Sequence, residues 1–361
     1  MRPVYYLGVF IPAAIGLELA HADPVLVFGA AALGVIPCAA VMGEATEAIA
    51  AKTGPGIGGL LNVTFGNAPE LIIAFFALNK GLQEVVKASI VGSIIGNILL
   101  VMGAAMVVGG LPREKQTFSR TAANAQSAML MLALAALIFP AIFQLIHGGG
   151  LPGVGEERVD YGSDLETLSL CVAIVLLISY VLGLIFSLRT HRSVFNPYDA
   201  SAEEEEEHHW PVRQAAIYLA LSAVAVGVMS EILVGSISEA SEDIGLSEFF
   251  VGVFVVAIVG NAAEHWVAVL VAAKDKMDLA VNIAIGSSAQ IALFVAPILV
   301  LLSFVIGPDP MALVFNGYEL GALLFAVLIA NLVTQEGESN WFEGVQLLAL
   351  YAVLGLVFYF A

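Results

Sequence analysis

Charged side chains are scarce in this sequence, since Asp, Glu, Lys and Arg make up 12% of its 361 residues. Only 13 residues are Lys or Arg against 31 Asp or Glu, and the net charge of −18 argues against nucleic acid as a partner. The two cysteines, Cys38 and Cys171, lie in apolar runs and indicate packing residues. Walker, zinc-binding and Ser-His-Asp patterns are absent, so the sequence predicts neither an ATP-driven pump nor an enzyme.

Apolar residues are abundant instead: 60% of the chain is hydrophobic and the mean hydropathy is +0.94. The apolar runs are continuous rather than alternating, which predicts membrane-spanning helices embedded in a lipid bilayer rather than a β-barrel. At about 20 apolar residues per span, eleven spans are predicted. They lie near residues 3–20, 24–51, 58–79, 83–109, 121–146, 165–187, 211–238, 247–272, 278–305, 312–333 and 341–360.

The distribution of basic residues predicts a cytoplasmic N-terminus. With that orientation, the inner segments hold ten Lys or Arg residues and the outer segments three. The first run also resembles a signal peptide, with Ala20-His21-Ala22 as a cleavage site. Because Glu18 interrupts that run, we expect a retained span.

A short polar motif occurs twice within these apolar spans. Its copies are Gly66-Asn67-Ala68-Pro69-Glu70 and Gly260-Asn261-Ala262-Ala263-Glu264. The copies are 194 residues apart, and Ser93 and Ser287 keep the same offset. At helical spacing, the Asn and Glu of the first copy share one face of a helix. The match indicates an internal duplication with one polar site built from both copies.

The duplication sets the predicted fold. A leading span over residues 1–22 precedes two copies of five spans, residues 23–190 and 211–361. Because five is odd, the copies enter the membrane in opposite orientations. We therefore predict an all-α polytopic membrane protein of eleven transmembrane helices, with one leading helix and two inverted five-helix repeats. Residues 191–210 are predicted to form an acidic cytoplasmic linker helix, either solvated or cation-collecting through the Glu203–Glu207 tract.

The duplicated carboxylates, Glu70 and Glu264, are the first candidates for chemistry. An ionised carboxylate at the bilayer centre is costly, burial favours its protonated form, and a bound cation favours its charged form. A pair that holds either protons or a divalent cation is therefore an exchange device. The alternative is a hydrogen-bonded packing role.

Neutral oxygen donors accompany the two carboxylates. A hard cation such as Ca²⁺ takes about six to eight oxygen ligands, and no set of soft thiolates competes here. The predicted metal ligands besides Glu70 and Glu264 are Asn67, Asn261, Ser93, Ser287, Asn97 and Gln290. Any single Asn or Ser among them is equally well explained by hydrogen bonding between helices. Pro69 is expected to disrupt the helix just before Glu70.

Further ionisable residues are candidates for proton coupling or for vestibules. Glu44 and Glu47 lie on span 2, and Glu231 and Glu239 on span 7. Glu47 and Glu239 are near span ends, where a water-facing role is an equally good interpretation. His265 follows Glu264 directly and either relays protons or hydrogen-bonds a neighbour.

These motifs together resemble the calcium/proton exchanger family of the cation/calcium exchanger superfamily. The matching stretches are residues 43–48, 58–70, 92–97, 121–127, 259–265, 286–293 and 337–344. The resemblance implies Ca²⁺ as the transported cation, H⁺ as the counter-ion, no organic cofactor, and Glu70 and Glu264 as shared cation and proton ligands. It also implies that Glu44 and Glu231 belong to the family pattern.

The sequence therefore predicts a secondary antiporter that exports Ca²⁺, or another divalent cation, in exchange for H⁺ by alternating access. The alternatives are a Na⁺/Ca²⁺-type exchanger and a gated cation channel. The chain resembles a compact family member, which favours the plasma membrane of a prokaryote. The sequence is also compatible with a homo-oligomer.

Overall fold

The computed structural model describes residues 3–154, 164–190 and 210–361, and these residues are almost entirely helical. Nine helices in these ranges are long and apolar enough to cross a membrane, by length and composition. A bent pair of helices and the shorter apolar helix Val4–Leu19 add two further segments. The eleven spans predicted from the sequence are consistent with this architecture. The predicted linker over residues 191–210 lies outside the described residues, apart from Trp210.

We number the helical segments as spans 1 to 11, in chain order. Their bounds are Val4–Leu19, Pro24–Thr53, the pair Gly58–Gly66 and Ala68–Asn79, Gln83–Gly110, Arg120–Ile146, Asp164–Thr190, Val212–Ile244, Glu248–Ala273, Met277–Ser303, Gly317–Thr334 and Trp341–Phe360. Span 7 ends at Ile244, beyond the predicted end at 238, and is followed by Gly245 with a φ of 77° as its C-cap. Span 10 begins at Gly317 rather than at 312, because Asn316 caps its first turn.

The chain divides into two compact units, and each draws on both halves of the sequence. Unit 1 comprises Met1–Phe76, Val181–Leu246 and Val259–Ala263. Unit 2 comprises Ala77–Tyr180, Ser247–Ile258 and Glu264–Ala361. The predicted boundaries of the two repeats, 23–190 and 211–361, therefore stay a prediction.

In unit 1, span 2 packs along span 7. Their close approach depends on Gly34, where a β carbon would lie 2.8 Å from the sulfur of Met229. Helical backbone is continuous over Pro24–Gly66. This helical backbone is not straight. A β carbon on Gly58 would lie 3.0 Å from the Cα of Ala50, whereas two residues eight positions apart in a straight helix are separated by about 12 Å. The chain therefore bends sharply between Ala50 and Gly58 and separates spans 2 and 3.

Unit 2 is organised around span 4, whose first helix, Gln83–Ile95, is buried along almost its full length. It packs on the start of span 8 at Gly92, where a β carbon would overlap the carbonyl oxygen of Val253 and lie 2.8 Å from the Ala257 side chain. Spans 4 and 9 both contain a π-helical segment, Gly96–Val101 and Ile291–Val295. These positions correspond at the offset seen in the sequence, so the duplication extends to the backbone distortion.

Two irregular connections complete unit 2. The buried, non-helical stretch over residues 311–316 hydrogen-bonds to side chains, with the Met311 N–H donating to Ser303 Oγ and the Leu313 N–H to Ser169 Oγ. Non-helical backbone of this kind is tolerated at membrane depth only when it is buried in protein. The second connection is a small antiparallel pair, β1 (Gln116–Thr117) with β2 (Glu338–Ser339), which the all-α prediction did not include.

The packing at Gly92 leads to a test with a matched control on the same span. Gly92→Ala would force a methyl group into the Val253 backbone, and overpacking of this kind costs about 1–3 kcal/mol of stability. Gly96→Ala would meet no atom within 4 Å and is expected to be tolerated. Thermal unfolding of the purified variants, followed by size-exclusion chromatography, should show a lower melting temperature for Gly92→Ala alone. Equal melting temperatures would contradict this packing.

Candidate functional site

Span 3 breaks at Asn67, directly before the first candidate carboxylate. Its two helices are bent by 41° relative to each other, and the second begins at Ala68. The break arises because Pro69 has no N–H to donate to the preceding turn. The predicted disruption before Glu70 is thus confirmed. Asn67 ends the first helix, and Glu70 lies in the first turn of the second. That the two side chains share one face stays a prediction.

Glu70 lies in the first turn of the helix Ala68–Asn79, where the helix dipole favours negative charge. Both carboxylate oxygens of Glu70 are buried. Its Cγ lies 3.2 Å from the position that a β carbon on Gly260 would occupy. The glycine of the second motif therefore provides the space into which the carboxylate of the first motif fits.

Span 8 contains the second copy of the polar motif, and its helix continues through the motif without a break. Asn261 and Glu264 lie one turn apart on the helix Ala257–Ala273, and Asn261 is fully buried. The distortion comes earlier in this span, as the π-helical segment Val251–Val256. Ser287 of span 9 donates a hydrogen bond to Glu264 Oε2 at 2.8 Å. This contact between spans 9 and 8 orients the Glu264 carboxyl group.

The imidazole ring of His265 contacts Asn97 of span 4, which is another predicted ligand. Its Nε2 lies 3.0 Å from Asn97 Oδ1, and Asn97 is buried at the start of the π-helical segment Gly96–Val101. This contact matches the hydrogen-bonding interpretation of His265. It also fixes the amide of Asn97, so that its orientation depends on span 8.

The predicted ligands divide between the two units. Unit 1 contains Asn67, Glu70 and Asn261, with the Glu70–Gly260 contact as its internal link. Unit 2 contains the remaining predicted ligands, which are Ser93, Asn97, Glu264, Ser287 and Gln290, together with His265. Ser93 is buried and Gln290 is half-buried.

The four other glutamates differ in their exposure. Glu44 is half-buried in span 2, whereas Glu47, Glu231 and Glu239 are exposed. The exposed positions suit the water-facing interpretation of Glu47 and Glu239. Glu44 is thus the most buried of the four.

Asn282 of span 9, a polar residue near Ser287, was missed at the sequence level. Gln126 of span 5 donates a short hydrogen bond to Asn282 of span 9. The Gln126 side chain also lies 3.5 Å from the position of a β carbon on Gly286, next to Ser287. Asn282 is an amide within an apolar span, four residues before the Gly-Ser motif, and this spacing is the signal that would have identified it.

Carboxylates alone do not form a metal site in this arrangement. Across the described ranges, no group of three or more His, Cys, Asp or Glu side chains is placed to hold a metal ion. A cation bound by Glu70 or Glu264 would therefore need amide, hydroxyl or backbone oxygens as well. Such a mixed oxygen set is typical of Ca²⁺ coordination.

Both halves of the chain match a known protein family. The sodium/calcium exchanger protein family matches residues 24–189 and 214–360, one match in each half of the chain. The chain belongs to this family. It is 45% identical to a Ca²⁺/H⁺ antiporter of Aphanothece halophytica, over 98% of this chain and 95% of that protein. It is 43% identical to the Ca²⁺/H⁺ antiporter ChaA of Bacillus subtilis, over 97% and 96% of the two chains.

A solved structure agrees with these relatives. The Ca²⁺/H⁺ antiporter protein YfkE superposes with a TM-score of 0.83 at 37% identity, over 100% of both chains. The chain is therefore a helical, multi-pass membrane protein.

Neighbouring serines of span 9 provide a test of the site. Ser287 contacts Glu264, whereas Ser288 donates to the Ala284 carbonyl of its own helix at 2.8 Å. Ser287→Ala removes a hydrogen bond to a charged group, which contributes about 1.5–3 kcal/mol. We expect cation flux in proteoliposomes to fall by roughly tenfold or more for Ser287→Ala and to change little for Ser288→Ala. Equal losses in both variants would contradict the assignment.

Proposed function

We propose that this chain exchanges Ca²⁺ for H⁺ across the membrane, with Glu70 and Glu264 as shared ligands for both ions. The observation that carries the proposal is the duplicated carboxylate in spans 3 and 8. Each copy is held by a neighbouring span, Glu70 against Gly260 and Glu264 through Ser287. Near-full-length relatives named as Ca²⁺/H⁺ antiporters support it.

The proposed chemistry follows from the cost of a buried charge. With no cation bound, protonation removes the charge of each carboxylate and allows it to remain in the apolar interior. Ca²⁺ supplies two positive charges, so it replaces the protons on two carboxylates without leaving a net charge. Cation and proton therefore compete for the same oxygens, and movement of one is coupled to movement of the other.

The neutral ligands would complete the coordination sphere. We assign Asn67 and Asn261, one turn or less from the carboxylates, together with Ser93, Ser287, Asn97 and Gln290. Amide and hydroxyl oxygens add no charge, so they raise the number of ligands without changing the balance between Ca²⁺ and protons. Gln290 corresponds to Gly96 in the first half, which makes the proposed site asymmetric.

Protons rather than Na⁺ are proposed as the counter-ion, although the family carries a sodium/calcium name. The relatives with 43% and 45% identity are named Ca²⁺/H⁺ antiporters. A Na⁺-driven exchanger needs additional oxygen ligands to hold several Na⁺ ions. A gated cation channel is the other alternative, and it would not accumulate Ca²⁺ against a gradient.

Direction and access are part of the proposal. The excess of Lys and Arg in alternate connections supports a cytoplasmic N-terminus, and the bacterial relatives support the plasma membrane. We propose that Ca²⁺ leaves the cytoplasm as protons enter. We propose that access alternates as spans 1, 2, 6 and 7 slide across spans 3, 4, 8 and 9.

The decisive experiment is radioactive Ca²⁺ uptake into proteoliposomes with an imposed pH gradient and no Na⁺. The wild-type chain should accumulate Ca²⁺, because the pH gradient is the only source of free energy. Glu70→Gln and Glu264→Gln should each abolish this uptake, since an amide cannot alternate between a charged and a protonated form.

Glu242→Gln serves as the matched control, because Glu242 is exposed at the end of span 7. It should retain wild-type uptake. A requirement for Na⁺ would favour a Na⁺/Ca²⁺ exchanger. Uptake that survives Glu70→Gln or Glu264→Gln would exclude that residue as a shared ligand.

A further inference from the structure

A second cluster of ionisable side chains is buried in unit 2, outside the proposed exchange site. Glu84 and Lys87 of span 4 and Glu319 of span 10 are 5%, 2% and 1% exposed, respectively. Buried charges require partners, since transfer of an ion from water into an apolar environment is costly. The arrangement of these partners indicates what the cluster binds.

Lys87 is the centre of the cluster. Its Nζ lies 2.7 Å from Glu84 Oε1 and donates a hydrogen bond to the Val314 carbonyl at 3.3 Å. The adjacent Gln83 side chain donates to the Asp309 carbonyl at 2.7 Å. Span 4 is thereby joined to the irregular connection that leads into span 10. The ammonium has a carboxylate partner already, and that partner is Glu84.

Glu319 is held by the backbone rather than by Lys87. Its Oε2 accepts a hydrogen bond from the Asn316 N–H at 2.8 Å, and its own N–H donates to Asn316 Oδ1 at 2.9 Å. Its Oε1 is buried and has no hydrogen-bond partner among the residues that the structure describes. Among the described residues, Lys87 and Glu84 are the charged groups within electrostatic range of the Glu319 carboxyl.

The charges of the cluster do not balance if every group is ionised. Two carboxylates and one ammonium would leave one uncompensated negative charge in a buried site, at a cost of several kcal/mol. One proton removes that charge. We place it on Glu319, because the Lys87 ammonium lies 2.7 Å from Glu84 and compensates the charge of that carboxylate, whereas Glu319 accepts a hydrogen bond from the uncharged Asn316 N–H.

We propose that Glu84, Lys87 and Glu319 form a proton-binding site separate from Glu70 and Glu264, with one proton held on Glu319. At the predicted orientation of the chain, this site lies at the outer ends of spans 4 and 10. The inference does not depend on the proposed exchange function, because occupancy by a proton is measured without any cation flux.

Infrared spectroscopy of the full-length chain in lipid, without Ca²⁺, tests the proposal. A protonated carboxyl group gives a C=O stretching band that shifts in D₂O. Difference spectra between wild type and Glu319→Gln should show the loss of one such group per chain. Glu84→Gln should also lose one, because Lys87 then pairs with an ionised Glu319. Lys87→Met should gain one, because both carboxyl groups then need protons.

Glu242→Gln is the control and should leave the carboxyl band unchanged, since its side chain is exposed. An unchanged band in Glu319→Gln would overturn the proposal. Retention of the full band in Glu84→Gln would contradict the shared charge balance. If Glu319→Gln fails to fold, the opposite changes expected for Glu84→Gln and Lys87→Met still decide the question.

Discussion

The cost of placing a carboxylate in the apolar interior of a membrane is the constraint on which this protein depends. A charged residue at the centre of a bilayer costs roughly 3 kcal/mol or more, and the cost disappears when a proton or a cation neutralises it. Glu70 and Glu264 lie within spans 3 and 8. Burial within the protein imposes a desolvation cost of its own on Glu319, whose cluster contains two carboxylates and a single Lys.

The backbone distortions near the duplicated motif differ between the two halves of the chain. Span 3 breaks at Asn67 with a bend of 41°, whereas span 8 keeps a continuous helix after the π-helical segment Val251–Val256. Spans 4 and 9 instead share a π-helical segment at corresponding positions. The duplication has therefore kept the carboxylates and the Gly-Ser motifs while the path of the backbone around them has diverged.

Much of the fold follows from the sequence, because long apolar runs and a repeated polar motif leave few alternatives. Hydropathy located the spans, and the offset between the copies located Glu70, Glu264, Ser93 and Ser287. The contact of Ser287 with Glu264 and that of Gly260 with Glu70 depend on packing between spans, which periodicity does not specify. The buried Glu84–Lys87 pair also escaped notice, because residues near a span end look solvent-exposed in sequence.

Competition between Ca²⁺ and protons for Glu70 and Glu264 is the central claim, and it can be measured directly. Ca²⁺ is added to the purified protein in weakly buffered detergent solution, and released protons are followed with a pH indicator. We predict proton release by the wild type, no release by the Glu70→Gln/Glu264→Gln double variant, and normal release by Glu319→Gln. Ca²⁺ binding without proton release, or undiminished release from the double variant, would contradict the account.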